Sequence, residues 1–176
     1  RVAFFLQPML LQNIQHALHR LRHGIVFGEA VAAKERVENR LGDEMLRQQR
    51  EIERALAIAR QADVALVGVG NLDPATSGFI KAGAMTPKQL PTLVAEGAVG
   101  DMAGQIFTLS GELLGAEYNR RLIGLSLAEL RQIPTTIAVA SGPQKSQAIL
   151  GGLQTGAINV LCTDDRTASA ILSLEV

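Results

Sequence analysis

A chain of 176 residues with 47% apolar and 19% charged residues holds enough apolar material for one packed domain, which excludes global disorder. Its 17 basic and 17 acidic side chains cancel, so no field over the whole chain draws it to phosphate backbones or an anionic membrane, and nucleic-acid binding by this chain alone is disfavoured. No apolar run reaches the roughly 18 residues a membrane span needs, and a lone cysteine, Cys162, cannot form an internal disulfide, which fits a soluble protein of a reducing cytoplasm.

The apolar opening Val2-Ala3-Phe4-Phe5-Leu6 is too short for an export signal and is interrupted by Gln7 and Pro8. His16, His19 and His23 follow at spacings of three and four, which would place them on one helix face, a geometry open to a metal. Arg20 and Arg22 lie among them with no cysteine or carboxylate close by, so a polar helix face is the preferred reading and no metal is expected.

Residues 29–62 are helical in character. Val37, Leu41, Met45, Ile52, Leu56 and Ala59 recur at threes, fours and sevens, and Gly42-Asp43 is expected to divide the stretch into two helices. Residues 1–62 carry ten basic and seven acidic side chains against seven and ten in 63–176, a mild division that solvated helix faces account for. Residues 1–62 are therefore read as a helix-rich N-terminal part and 63–176 as the core of the domain.

From Asp63 the pattern changes. Residues 64–69, 136–140 and 158–161 are near-continuous apolar runs, as expected of parallel strands covered on both faces, and helices are expected at 86–96, 126–132, 143–153 and 167–174. This alternation predicts an α/β fold with a parallel sheet. Residues 105–109, turning through Ser110-Gly111-Glu112, read as one arm of an inserted antiparallel hairpin, and Leu122-Ile123-Gly124-Leu125 as another short strand.

In open parallel sheets, ligands settle outside the carboxyl ends of the strands. Three loops leave those ends: Gly68 to Asp73, which includes Gly70 and Asn71; Ser141-Gly142-Pro143-Gln144-Lys145; and Thr163-Asp164-Asp165. The second leads into a helix with Pro at its start, where free N–H groups together with Lys145 would hold a phosphate or carboxylate; alternatively Ser141 only caps the helix and Lys145 is solvated. In the small-residue cluster from Gly97 to Gly104, Asp101 is the lone carboxylate, suited either to accept sugar hydroxyls or to form a turn. Asp164-Asp165 ahead of Thr167 reads as a helix cap.

Gly68-x-Gly70 lacks the third glycine of a dinucleotide fingerprint, and no phosphate-binding GxxxxGK[ST] occurs, so neither NAD nor ATP is expected as a cofactor. No GxSxG elbow, CxxC pair or Ser-His-Asp set can be assembled, and no catalytic residue is assigned.

The run 62–70, then Ala98-Val99-Gly100-Asp101-x-x-Gly104-x-Ile106-Phe107, Asn119 to Leu125, Ile133-Pro134, Val139-Ala140-Ser141-Gly142-x-x-Lys145 and Asn159-Val160-Leu161-Cys162-Thr163-Asp164 together resemble the effector-binding domain of the SorC family of bacterial regulators, the sugar-binding domain of SorC/DeoR type. The resemblance covers 62–176; residues 1–10 are loosely similar to a strand and Pro-containing loop of the family, while 11–50 have no match and are more helical and basic. It implies a doubly wound sandwich related to ribose-5-phosphate isomerase and glucosamine-6-phosphate deaminase, incomplete here at its N-terminus. It also implies that Asp101 and Lys145 contact a sugar or phosphorylated sugar, Lys145 with the helix start at Ser141 and Gly142 favouring the phosphate; Gly70, Asn71 and Gly104, in the strand-end loop and the small-residue cluster beside them, complete the expected site.

DNA would be contacted only through a helix-turn-helix absent from this chain, and the protein would be a cytoplasmic homo-oligomer. The rival expectations are an isomerase- or deaminase-like enzyme with Asp101 as base, and an assembly module built on the helices at 29–62.

Overall fold

A computed structural model describes residues 25–28, 50–120 and 122–174. The histidine face at 16–23, the opening segment 1–10 and the helix break at Gly42-Asp43 lie outside the described residues.

Strand β1 (Ile25–Gly28) was not anticipated in a stretch read as helical; its Ile-Val-Phe run suits a strand better than a helix. It pairs in parallel with β2 (Val64–Asn71), from Ile25 opposite Val64 to Gly28 opposite Val67. Between them runs α1 (Arg50–Arg60), within the second of the two helices expected over 29–62, with Ala59 buried and Leu56 partly buried against the core.

On its other edge β2 pairs in parallel with β5 (Thr135–Val139), and β5 with β6 (Val160–Cys162), which gives the parallel α/β sheet the apolar runs predict. On the edge it shares with β1, past the end of that strand, β2 continues and pairs antiparallel with β3 (Ala98–Met102), which in turn pairs with β4 (Gln105–Thr108).

The hairpin therefore differs from expectation. Its partner strand is the small-residue cluster at 98–102, and its turn is Ala103-Gly104, with φ of 50° and 77°, a two-residue loop in left-handed backbone conformation whose twist matches the right-handed twist of the strands. The predicted turn through Ser110-Gly111-Glu112 does form, since the Thr108 amide donates to the Glu112 carbonyl at 2.9 Å, but the chain returns with a single bridge, Phe107 to Leu113. Residues 122–125 form no strand. The buried Gln105 amide takes their backbone instead, donating to the Leu125 carbonyl at 3.0 Å and accepting the Leu127 N–H at 3.2 Å.

The remaining elements are α2 (Gly78–Lys81), α3 (Leu90–Ala95), α4 (Ala116–Arg120), α5 (Leu127–Leu130), a three-residue 3₁₀ turn (Pro143–Lys145), α6 (Ser146–Gln154) and α7 (Asp165–Leu172). Helix α5 is shorter than predicted: Ser126 and Glu129 close a reciprocal capping box at its start, and Pro134 denies helical backbone to Ile133 soon after.

Strands β1, β2, β5 and β6 lie side by side in sequence order, so right-handed crossovers carry their connecting helices over one face. The main core shows it: Ala65, Val67, Val69, Ala138 and Leu161 meet Ala59, Leu127, Leu130, Ala148, Ile149 and Ile171 from α1, α5, α6 and α7. By the two-residue period of a strand, Leu66, Gly68, Gly70, Ile137 and Val139 point the other way, and Val139 is 43% exposed. A second core of Leu72, Met85, Leu90, Leu93, Ala98 and Ile106 joins the segment between β2 and β3 to the hairpin.

Candidate functional site

Where β2 outruns β1, its last residues meet β3, with Gly70 opposite Asp101 and Asn71 opposite Gly100. Residues opposite one another share a face, so Asp101 lies on the same side as Gly68 and Gly70. A Cβ at Gly70 would overlap the Asp101 carboxylate, so the missing side chain is what lets that group lie across the strand. The Gly104 backbone N–H bonds the carboxylate from the hairpin turn.

Lys145 approaches from the 3₁₀ turn. Its Nζ donates to the Val69 carbonyl at 3.1 Å, which brings its positive charge to bear on Asp101. Burial is the stronger influence: it pushes the Asp101 carboxyl up to about 6, against the lowering effects of the Gly104 hydrogen bond and the Lys145 charge.

Gly70, Asp101, Gly104 and Lys145 thus converge at the carboxyl end of β2. The other predicted residues are placed differently. Asn71 is buried on the opposite face, where its Oδ1 accepts from Thr76 Oγ1 at 2.9 Å and so shapes the exit of the strand. Ser141 is exposed just past β5. Gly142, at φ 108°, has its N–H engaged by Thr167 Oγ1 at 2.7 Å.

That bond takes up one of the amides expected to be free at this helix start. Besides Gly142, Pro143 has no N–H, the Lys145 amide donates to the Gly142 carbonyl at 2.8 Å, and the Ser146 amide donates to Pro143.

Asp164 caps α7 as its sequence position predicts, its Oδ1 accepting the Thr167 N–H at 2.9 Å and its Oδ2 the Thr167 hydroxyl at 2.6 Å. The hydroxyl bond, then the backbone bond, holds the Asp164 carboxyl below its ordinary range. The neighbouring Thr163 Oγ1 is buried without a hydrogen-bond partner, and burial raises the Cys162 thiol. Thr167 and the Val69 carbonyl were not foreseen; the only local signal for Thr167 is its place three residues after the capping Asp164.

An open depression of about 860 Å³ bounded by Gly97, Thr108, Leu150 and Leu174 lies at the other end of the β3–β4 hairpin, where Ala98 pairs with Thr108, and includes none of the predicted site residues. Among the described residues no group of three His, Cys, Asp or Glu side chains is placed to hold a metal, and no helix is long and apolar enough to cross a membrane.

A mainly parallel sheet flanked by helices, with an antiparallel hairpin at one edge, defines an α/β domain. The Sugar-bind family model, a sugar-binding domain, matches residues 29–173. The chain belongs to this family, the sugar-binding domain of SorC/DeoR-type transcriptional regulators.

It is similar to the transcriptional regulator LsrR of Klebsiella pneumoniae, 37% identical over 133 residues, which is 74% of this chain and 41% of the relative. To LsrR of Escherichia coli K12 it is 37% identical over 119 residues, covering 66% of this chain and 38% of that protein.

Among solved structures, a DeoR family transcriptional regulator from Listeria monocytogenes superposes with a TM-score of 0.70 at 34% identity, over 77% of this chain and 54% of that one. The full-length sorbitol operon regulator SorC from Klebsiella pneumoniae gives 0.69 at 28% identity, over 77% and 44%. The chain spans about two-fifths of the length of the curated relatives it matches.

Proposed function

We propose that this chain is the effector-sensing part of a DNA-binding transcriptional regulator and that it binds a sugar or phosphorylated sugar without turning it over. The observation that carries the reading is the convergence of Asp101 and Lys145 on the carboxyl end of β2. Asp101 accepts sugar hydroxyls, Lys145 attracts a phosphate, and Gly70 and Gly104 leave room for close approach of the backbone. Ser141 and Gly142 border the site, and Asn71 supports it from behind.

Binding shifts the population of states of a homo-oligomer in the cytoplasm and so alters the DNA affinity of a separate helix-turn-helix domain. Calorimetric titration of the full-length protein with ribose 5-phosphate, fructose 6-phosphate and glucosamine 6-phosphate, repeated with Asp101→Ala and Lys145→Ala, tests the assignment. Affinity unchanged in both variants would sink it.

One observation favours an enzyme instead: a carboxyl pushed up to about 6 suits a general base at neutral pH. A base of that kind needs an acid beside it, and Lys145 is the charged partner whose influence reaches Asp101. Turnover of ribose 5-phosphate or glucosamine 6-phosphate by the purified protein would decide for the enzyme.

A further inference from the structure

The loop that carries Lys145 is anchored from the first turn of α7 and its cap. Thr167 is fully buried in the first turn of α7, and its hydroxyl has both roles filled: it donates to Asp164 Oδ2 at 2.6 Å and accepts the Gly142 N–H at 2.7 Å. Asp164 Oδ2 lies 3.4 Å from the same N–H.

The Gly142 peptide is held from its other side too. Its carbonyl accepts the Lys145 N–H at 2.8 Å, closing the 3₁₀ turn, and Lys145 then reaches across to the Val69 carbonyl at 3.1 Å. A continuous path of hydrogen bonds therefore runs from Asp164 through Thr167, Gly142 and Lys145 to the end of β2. Gly142 sits at φ 108°, a conformation the local sequence does not stabilise in other residues and that an external anchor has to select.

We infer that Thr167 is a positioning residue for Lys145: its hydroxyl, oriented by Asp164, fixes the Gly142 peptide and through it the place of the Lys145 ammonium at the site. The hydroxyl carries the role, because Val has nearly the same shape and lacks only the donor and acceptor, whereas Ser keeps both. The importance of this for ligand binding rests on the reading of Lys145 as the phosphate contact; the positioning itself does not.

The test is pulse acylation of the lysines in the full chain, read by mass spectrometry, with the exposed Lys81 and Lys88 as internal references. In Thr167→Val the labelling of Lys145 relative to those two rises about fivefold, the loss expected for one buried hydrogen bond, and in Thr167→Ser it stays near wild type. Ile171→Val, which trims a buried side chain one turn further along α7, leaves Lys145 unchanged and so separates positioning from general loosening.

Hydrogen exchange of the wild-type protein gives a measurement free of any folding defect: the Gly142 amide is protected. Unaltered Lys145 labelling in Thr167→Val, an equal rise in Ile171→Val, or an unprotected Gly142 amide would each overturn the inference. If instead Lys145→Ala leaves sugar phosphate affinity intact while the labelling behaves as stated, the phosphate reading fails and the positioning role of Thr167 stands.

Discussion

Gly70 and Asp101 face one another across the β2–β3 pair so closely that the carboxylate occupies the space a side chain at position 70 would fill. Gly68, two residues earlier on the same face, has nothing within 4 Å of where its Cβ would stand. The two glycines thus make a matched pair for mutation. Gly70→Ala displaces the Asp101 carboxylate, destabilises the fold by about 1–3 kcal/mol and weakens sugar binding by about tenfold or more. Gly68→Ala is neutral, or stabilising by up to about 1 kcal/mol through the unfolded chain. Chemical denaturation and calorimetry on both variants check this, and similar behaviour of the two would contradict the geometry.

Asp101 makes stability depend on pH in an unusual direction. Its carboxyl is raised from 3.8 to about 6, so between those values the folded state binds more protons than the unfolded one. Stability therefore declines as pH rises through about 4 to 6 and is flat above, with ionised Asp101 costing on the order of 2–3 kcal/mol at pH 7. Asp101→Asn removes that decline and raises the melting temperature at pH 7 while it abolishes tight sugar binding. In the wild type, sugar affinity falls below about pH 6, where the carboxylate is protonated and no longer a full acceptor. Melting curves and titrations at pH 5 and pH 7.5 are the measurements; a melting temperature lowered by Asp101→Asn would contradict the burial of the charge.

The parallel strands were legible because β2, β5 and β6 are continuous apolar runs, and the family was legible from motifs kept in order along the chain. The hairpin strand β3 was not. Gly100 lowers its apparent strand propensity, yet that glycine is imposed by α6, since a Cβ there would sit 2.5 Å from the Ala148 Cβ. Composition read as a loop what packing requires of a strand. At the site, Asp101 and Lys145 could be named from the chain, but their meeting depends on a strand pairing and on a lysine that reaches 76 residues back to Val69. Thr167 was hidden for the same reason, being 25 residues from the amide it anchors.

Gln105 replaces the strand expected at 122–125. With its residue 5% exposed, its amide serves the Leu125 carbonyl and the Leu127 N–H, tying β4 to the start of α5. Gln105→Leu keeps the volume and leaves both backbone groups unpaired in the core, at a cost of about 2–4 kcal/mol. For a domain of this size that lowers the melting temperature by about 4–16 °C. Sugar affinity of the folded variant stays within about twofold of wild type, because neither bond touches Asp101 or Lys145. Thermal melts followed by titration below the transition separate the two effects, and an unchanged melting temperature would show that these backbone groups find other partners.

Lys145 should set the preference between a phosphorylated sugar and the same sugar without its phosphate. One of its ammonium donors is already engaged by the Val69 carbonyl, which aims the charge at the end of β2 and leaves the other two for an incoming anion. Lys145→Met keeps the stem and removes the charge, so affinity for a phosphosugar falls about 10- to 100-fold, the range for a lost charge-assisted bond. The unphosphorylated sugar, held through Asp101, loses no more than about threefold by the same reasoning. The wild-type preference also shrinks as salt rises, since an ammonium acting on a phosphate at a partly open site is screened. Paired titrations at two salt concentrations measure both effects. Equal losses for the two sugars in Lys145→Met would mean that Lys145 shapes the pocket through packing, and that the phosphate, if one is bound, is held elsewhere along the strand ends.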